Sequence, residues 1–355
     1  MIDPAFTNET NQPKENSGLT FRGLQDESDY PLLLSIIRSS HQADKSDEDV
    51  SLEHIERTFA PSGDFDPTRD VLIAFLVDAP GAIGYSRLGW YSSREDIRLY
   101  YQMSYLRQEF RGRGFWQVMI RQNERRLLKI AKEHPFISQR FFQAWASDNQ
   151  VDWISALENT GYQAVRRFNN MFFKLDDIPD YILPTGFEIR PVKQEHLRDI
   201  WEAQKEMNEG LFENVAEDWG EEKYPGWLEN ASRTSRFWQA AWDGEHLAGM
   251  VLAHIDIKEK EGQNQKHGYT EHIYVRPAWR QRGLASALIS KSLQVLKAQG
   301  LNEAELGVDS ENESAAFSLY QRMGYRTFSI DTWFRKTMGS NFQAGADPGL
   351  AANQL

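Results

Sequence analysis

The amino-acid sequence predicts an α/β protein built from two tandem copies of one domain. Two stretches near its C-terminal end carry the fold class, and a third observation carries the duplication. Val275–Ile289 (VRPAWRQRGLASALI) reads as a strand ending at a proline, an Arg/Gly-rich turn and an apolar helix. Leu306–Tyr325 (LGVDSENESAAFSLYQRMGY) reads as a strand, a loop and a helix stopped at Gly324, a residue suited to a left-handed cap. The same punctuation occurs one domain-length earlier in the chain.

Four pairs of segments show the repeat. Thr20-Phe-Arg22 resembles Glu188-Ile-Arg190, and each precedes an amphipathic helical stretch. The hairpin-like Val71–Tyr85 resembles Phe237–Val251, Phe110–Trp116 resembles Trp279–Ala285, and Asn159–Tyr162 resembles Arg322–Tyr325. Arg22 and Arg190 stand 168 residues apart, Gly114 and Gly283 169, and Gly161 and Gly324 163. A nearly constant offset of this size is one domain. These marks assign residues 19–175 to a first, degenerate copy and residues 187–338 to a second, intact one. Residues 176–186, with Pro179, Pro184 and Gly186, are the expected linker. Residues 1–18 and 339–355 are polar or small-residue-rich and are expected to be loose tails.

Composition sets the outer limits. A chain of 355 residues has room for two domains, and 40% hydrophobic with 26% charged content is ordinary for a globular protein. No cysteine occurs, which excludes disulfides, thiolate metal sites and a cysteine nucleophile. The eight histidines form no ligand spacing with carboxylates, so no metal is expected. The net charge of −12 counts against a nucleic-acid partner, which needs a basic footprint. No apolar run approaches the ~18 residues that span a membrane, and residues 1–18 lack the apolar core of a secretory signal. A cytoplasmic protein is the expectation.

The second copy carries the chemistry. Ile189 sits in a strand, helices run through about Asn230, and the strands Phe237–Trp242 and Leu247–Ile255 flank the turn signal Asp243-Gly244. Gly268–Val275 is a β-rich run leading into the turn Arg280-x-x-Gly283-x-Ala285 at a helix start. A helix N-terminus offers unpaired N–H groups and partial positive charge, so it can hold a phosphate. Gly283 permits close approach of the backbone, Ala285 keeps the surface small, and Arg280 and Arg282 add charge. Leu284, Leu288, Ile289, Leu293 and Leu296 form the apolar stripe of that helix.

The turn resembles the [QR]-x-x-G-x-[GA] pyrophosphate loop of the GNAT family of N-acetyltransferases. Asn312, Ala316, Leu319, Tyr320, Gly324 and Tyr325 are similar to a second motif of that family, N-x-x-x-A-x-x-L-Y-x-x-x-G-[FY]. The overall plan is similar to the family's tandem, two-copy type. The resemblance implies that each copy is a mixed, mostly antiparallel sheet flanked by helices, and that acetyl-CoA is the co-substrate. It implies that Arg280, Gln281, Arg282, Gly283, Leu284, Ala285 and Ser286 hold the pyrophosphate. Ile273, Tyr274 and Val275 would pair with the pantetheine arm on a fourth strand that splays from the fifth, and Asn312 would line that arm. Tyr320 would lie near the thioester sulfur as general acid.

The base is less defined. Strict alternation puts Glu271 on one face with Ile273 and Val275 and puts His272 on the other. Glu271 among apolar groups is the preferred base; His272 and Asp309 are the alternatives, and each also reads as an ordinary polar strand residue. Trp201–Trp227 interleaves Glu202, Glu206, Glu209, Glu213, Glu217, Asp218, Glu221 and Glu222 with Phe212, Trp219 and Tyr224. It reads either as a solvated helix face or as a wall for an ammonium-bearing acceptor.

The copies differ at the decisive positions. Trp116 stands where the second copy has Ala285, Gln108 where it has Pro277, and Leu157 where it has Tyr320, while Asn149 matches Asn312. An indole in place of Ala285 is expected to block a pyrophosphate unless it swings aside. The first copy then serves as scaffold or as a wall of the acceptor site. The expected activity is acetyl-CoA-dependent N-acetylation of a small, cationic amine by direct transfer, in a monomer or homodimer, with no nucleic acid or membrane as partner. A non-catalytic acyl-CoA-binding scaffold, or a transferase of aminoacyl or longer acyl groups, is the alternative.

Overall fold

The computed structural model describes residues 18–46, 50–60, 65–92, 97–209, 219–260, 263–310 and 316–339. The first half runs β1 (Leu19–Gly23), α1 (Tyr30–Asp44), α2 (Leu52–Phe59), α3 (Pro67–Asp70), β2 (Val71–Leu76), β3 (Ala82–Ser92) and β4 (Ile97–Leu106). It continues through α4 (Phe115–Glu133), β5 (Gln139–Ser147), α5 (Val151–Asn159) and β6 (Gln163–Lys174). The second half repeats the order with β7 (Glu188–Arg190), α6 (Leu197–Glu209), α7 (Tyr224–Thr234), β8 (Gln239–Asp243), β9 (His246–Lys260) and β10 (Gln263–Val275). It ends with α8 (Leu284–Ala298), β11 (Glu303–Asp309), α9 (Ser318–Met323) and β12 (Arg326–Thr337).

All described strands join one 12-stranded sheet of order β1-β2-β3-β4-β5-β12-β6-β11-β10-β9-β8-β7. The order reads alike from either end, and the halves meet at the antiparallel pair β12–β6. The final strands are exchanged. β12, from the second half, pairs with β5 of the first (Asp331 with Ser147, Arg335 with Gln143), and β6, from the first half, pairs with β11 of the second (Phe168 with Asp309). Each half therefore completes the other's sheet. Only β4–β5 and β10–β11 are parallel, and each pair is joined by a long helix, as a parallel crossover requires.

Alternation along the strands sends side chains to two helical layers. On one face, α4 and α5 cover Tyr100, Phe142, Ala144 and Phe334, while α8 and α9 cover Ala248, Ala304, Leu306 and Met171. On the other face, α1 and α2 cover Val71, Ile73 and Tyr85, while α6 and α7 cover Ala240, Trp242 and Met250. The apolar stripe of α8 faces the sheet, with Leu284, Leu288, Ile289, Leu293 and Leu296 all buried. Burial of each such side chain contributes about 1.5–3 kcal/mol. Residues 176–186 lie along α8, where Ser290 Oγ donates to the Pro179 carbonyl and Lys297 Nζ donates to that of Asp176 at 2.9 Å. No helix among the described residues is long and apolar enough to cross a membrane.

Candidate active site

The parallel strands β10 and β11 pair only at Gly268–Ala304 and Tyr269–Glu305. Both continue, to Val275 and Asp309, without a further register pair, so they open into a V. Where the V opens, β10 carries a bulge. Glu271 pairs with Leu252 and Tyr274 with Met250 on β9, so β10 spends one residue more than its neighbour. His272 takes a left-handed φ of 47° there. A β10 residue in that region costs roughly 1–3 kcal/mol and persists only where the surroundings enforce it.

The bulge corrects the alternation argument at one place. Glu271 shares a face with Leu252 and Tyr274, on the side of α6 and α7; Ile273 and Val275 pack on the α8 side. Glu271 is part-exposed, and its carboxylate lies 3.9 Å from Nδ1 of His254. The His254 ring stacks on Tyr269 at 4.9 Å. His272 is exposed. Asp309, at the rim of the V, is bound by Arg166 of β6, whose Nε donates to Oδ2 at 2.7 Å, and both side chains are nearly buried.

Beyond β10 the chain makes a short 3-10 turn, Pro277–Trp279, and enters α8 through Gly283. Gln281 has φ 61° and Gly283 φ 84°, so the turn holds two left-handed residues. Arg280, Gln281, Arg282 and Gly283 are exposed; Ala285 and Ser286 are half-buried in the first turn of the helix, behind the buried Leu284. Arg280 Nε donates to the Val275 carbonyl at 2.9 Å, and Trp279 Nε1 to Asp243 at 2.8 Å. Among the described residues a Cβ on Gly283 would come within 4.0 Å of Pro184 only, so the backbone here admits close approach.

α9 closes the other side. Tyr320 is buried, its ring lies 5.8 Å from that of Tyr325, and its hydroxyl makes no hydrogen bond among the described residues. Burial pushes its pKa up to about 12, so the phenol stays protonated. Tyr325 shares a 2.8 Å hydrogen bond with Thr270, which ties α9 to β10 at the branch of the V. Asn312 lies outside the described residues.

Residues 196–325 match the model of the Acetyltransferase (GNAT) family. That segment runs from α6 through the V, the turn and Tyr325. This segment is a GNAT-family domain. The chain is 30% identical over 166 residues to the mycothiol acetyltransferase of Streptomyces coelicolor, covering 45% of this chain and 49% of that one. It is 24% identical over 243 residues to the mycothiol acetyltransferase of Renibacterium salmoninarum, covering 65% and 66%. The chain thus spans about half the length of the first of these curated relatives. Among solved structures, a GCN5-related N-acetyltransferase from Sphaerobacter thermophilus superposes with a TM-score of 0.71 at 23% identity, over 90% of this chain and 96% of that one. A tandem GNAT protein from the clavulanic acid biosynthesis pathway superposes with a TM-score of 0.60 at 13% identity, over 90% and 99%. The fold is that of tandem GNAT proteins.

The first half repeats the GNAT turn almost angle for angle. Arg111 and Arg280 have φ/ψ of −69°/161° and −67°/163°, and Gly114 and Gly283 have 79°/4° and 84°/2°. Gly112, at φ 70°, takes the place of Gln281. The surroundings differ. Arg111 is drawn inward to Asp44 of α1, with Nη2 donating to Oδ2 at 2.8 Å and to Ser40 Oγ at 2.9 Å. Trp116 is buried and meets Trp153 of α5 at 4.8 Å between ring centroids. Trp153 stands where the chain just before α9 has Ala316, so two indoles in the first half replace two alanines of the second. Asn123 of α4 donates to Gln102 of β4 at 2.8 Å and to Ser86 of β3 at 2.9 Å, a buried polar network between the helix and these strands. β4 has no bulge.

Sequence reasoning missed Trp153, His254 and Arg166. Trp153 was within its reach, because the offset that matches Leu157 to Tyr320 also matches Trp153 to Ala316. The acidic stretch Trp201–Trp227 is partly neutralised: Arg198 pairs with Glu202 at 2.8 Å and Glu221 at 2.6 Å, and Arg276 pairs with Glu206 at 2.8 Å. Trp201, Trp219, Tyr224 and Trp227 cluster ring on ring. Phe212, Glu213, Glu217 and Asp218 lie outside the described residues.

Proposed function

We propose that the protein is an acetyl-CoA-dependent N-acetyltransferase of a small amine, with donor binding and chemistry in the second half only. One observation carries this reading: the same turn occurs twice, beside the small Ala285 in the second half and beside the packed indoles Trp116 and Trp153 in the first. When bound, acetyl-CoA supplies the activated acyl group. The exposed turn and the first N–H groups of α8, with Arg280 and Arg282, suit its pyrophosphate. Ile273, Tyr274 and Val275, on the unpaired edge of β10 beyond the bulge, offer main-chain groups to its amide-bearing arm.

Tyr320 holds a proton at its hydroxyl that a leaving thiolate requires. Glu271 stands at the branch of the V and takes the proton of the incoming ammonium, directly or through one water. The net charge of −12 supports a cationic acceptor. Calorimetric titration with acetyl-CoA tests the reading. One site per chain is expected. Two sites would overturn the silent first half, and none would overturn the donor assignment.

A further inference from the structure

The segment between the two halves, residues 176–186, meets α8 at three places. Lys297 Nζ donates to the Asp176 carbonyl, and Ser290 Oγ donates to that of Pro179. Pro184 stands beside Gly283, 4.0 Å from where a Cβ on that glycine would lie. Positions 283, 290 and 297 recur every seven residues, so they fall on one stripe of the helix. The segment therefore runs antiparallel to α8 and arrives at the turn assigned above to the pyrophosphate. We propose that its two exposed side chains, Tyr181 and Ile182, form the platform on which the adenine base of acetyl-CoA rests. This deepens the donor-binding reading and rests on it.

Three observations carry the platform. The segment bows outward from the helix. Ser290 and Gly283 are seven residues apart on α8, a rise of about 10 Å. Their partners Pro179 and Pro184 are five residues apart, and an extended chain of that length spans about 17 Å. The surplus lies between them, at Tyr181 and Ile182. Exposure matches the bow. Ile178 and Leu183 pack against the core of the second half, whereas Tyr181 is 38% and Ile182 86% exposed, the latter the highest value of any large apolar side chain among the described residues. A backbone anchored on both sides presents such side chains to a ligand at little ordering cost.

The chemistry of the segment selects the base. Residues 176–186 hold the carboxylates Asp176, Asp177 and Asp180 and no cation, whereas Arg280 and Arg282 stand at the turn. A neutral base therefore suits the bow, and the phosphates suit the turn. The two are neighbours: Ile182 is two residues from Pro184, so their Cα atoms lie within about 7 Å of each other. A nucleotide with its pyrophosphate on the turn carries its base one ribose further on. A tyrosine ring beside an aliphatic wall accepts the face of that base. The segment then favours free CoA thioesters over acyl groups carried on phosphopantetheine alone.

Three ligands separate the parts: acetyl-CoA, S-acetyl-4′-phosphopantetheine, which lacks the base, and adenosine 3′,5′-bisphosphate, which lacks the arm. Acetyl-CoA is titrated calorimetrically and the two fragments are read by displacing it. Tyr181→Ser/Ile182→Ser should weaken acetyl-CoA and the bisphosphate by about fivefold or more and leave the base-free thioester unchanged. Ile182→Trp should tighten acetyl-CoA by about twofold or more. Unchanged acetyl-CoA affinity in the double variant, or an equal loss for the base-free thioester, would overturn the platform and leave the turn standing. A change of oligomeric state in that variant with acetyl-CoA affinity unchanged would assign the bow to contact between copies and overturn the platform likewise. If the double variant does not fold, unchanged or weaker binding in Ile182→Trp overturns it instead. No binding of acetyl-CoA by the wild-type protein would overturn the donor reading and the platform with it.

Discussion

Trp116 and Trp153 meet at 4.8 Å between α4 and α5, at the positions that Ala285 and Ala316 hold in the second half. Both indoles are buried, so they are core as well as plug. Trp153 Nε1 also donates to the Trp145 carbonyl at 2.9 Å. Trp153→Ala should cost about 3–5 kcal/mol of stability, read from denaturant unfolding. The double change Trp116→Ala/Trp153→Ala should still bind no second acetyl-CoA, because the Asn123 network and the unbulged β4 remain. A second calorimetric site in that variant would show that the indoles alone silence the first half.

The converse substitution probes the second half. Ala285 is half-buried in the first turn of α8, beside an open turn. Ala285→Trp should abolish acetyl-CoA binding while leaving the melting temperature within a few degrees, since Ala285 is half-exposed at the start of α8. Unchanged affinity would remove this turn from donor binding.

Tyr320 combines burial, a hydroxyl without a hydrogen-bond partner among the described residues, and a pKa pushed up to about 12. Tyr320→Phe should lower kcat by roughly 10²–10⁴-fold and leave acetyl-CoA affinity nearly unchanged. The raised pKa fixes a second expectation. The phenol keeps its proton throughout the range below its pKa, so the wild-type rate should not fall with rising pH anywhere below about pH 11. An alkaline limb near pH 9 that vanishes in Tyr320→Phe would contradict the burial argument.

Local features were legible in the sequence, and non-local ones were not. The turn at Gly283, the stop at Gly324 and the α8 stripe each depend on neighbours within a few residues, and all stand as read. The exchange of β6 and β12 left no such trace. Both strands alternate in the same way, and which neighbour each pairs with is decided by the opposite half of the chain. The bulge at His272 defeated the assignment of Glu271's face, because period-two reasoning assumes an unbroken ladder. Its signal was present in the repeat offsets. Gln102 and Thr270, which bond the equivalent Tyr162 and Tyr325, stand 168 residues apart, whereas Gly114 and Gly283 stand 169 apart. The additional residue falls between them, at the bulge.

Buried phenols should set the alkaline limit of stability. Burial raises the pKa of Tyr85, Tyr162, Tyr320 and Tyr325 above the ordinary value of 10.0. Above pH 10 the unfolded chain ionises these groups while the folded chain does not, so the unfolded state binds fewer protons and stability falls as pH rises. Tyr320 alone should account for about 1 kcal/mol of loss by pH 11. Denaturant unfolding at pH 9 and pH 11 should show a steep decline, smaller by about that amount in Tyr320→Phe. A pH-independent midpoint over this interval would contradict the burial of these hydroxyls.

Arg166 and Asp309 form a nearly buried ion pair between β6 and β11, and so between the two halves. Removing one partner breaks a nearly buried ion pair and leaves the other charge to be desolvated without it. Asp309→Ala should therefore cost about 3–5 kcal/mol, whereas Arg166→Met/Asp309→Leu should recover most of that loss. The functional effect should separate from the stability effect. Asp309 ends the strand that forms one wall of the V. The double variant should fold, yet bind acetyl-CoA more weakly than wild type because the wall is no longer fixed to β6. Unfolding curves and acetyl-CoA titrations of the single and double variants check both parts. Full donor affinity in the double variant would show that the pair serves the seam between the halves and not the V.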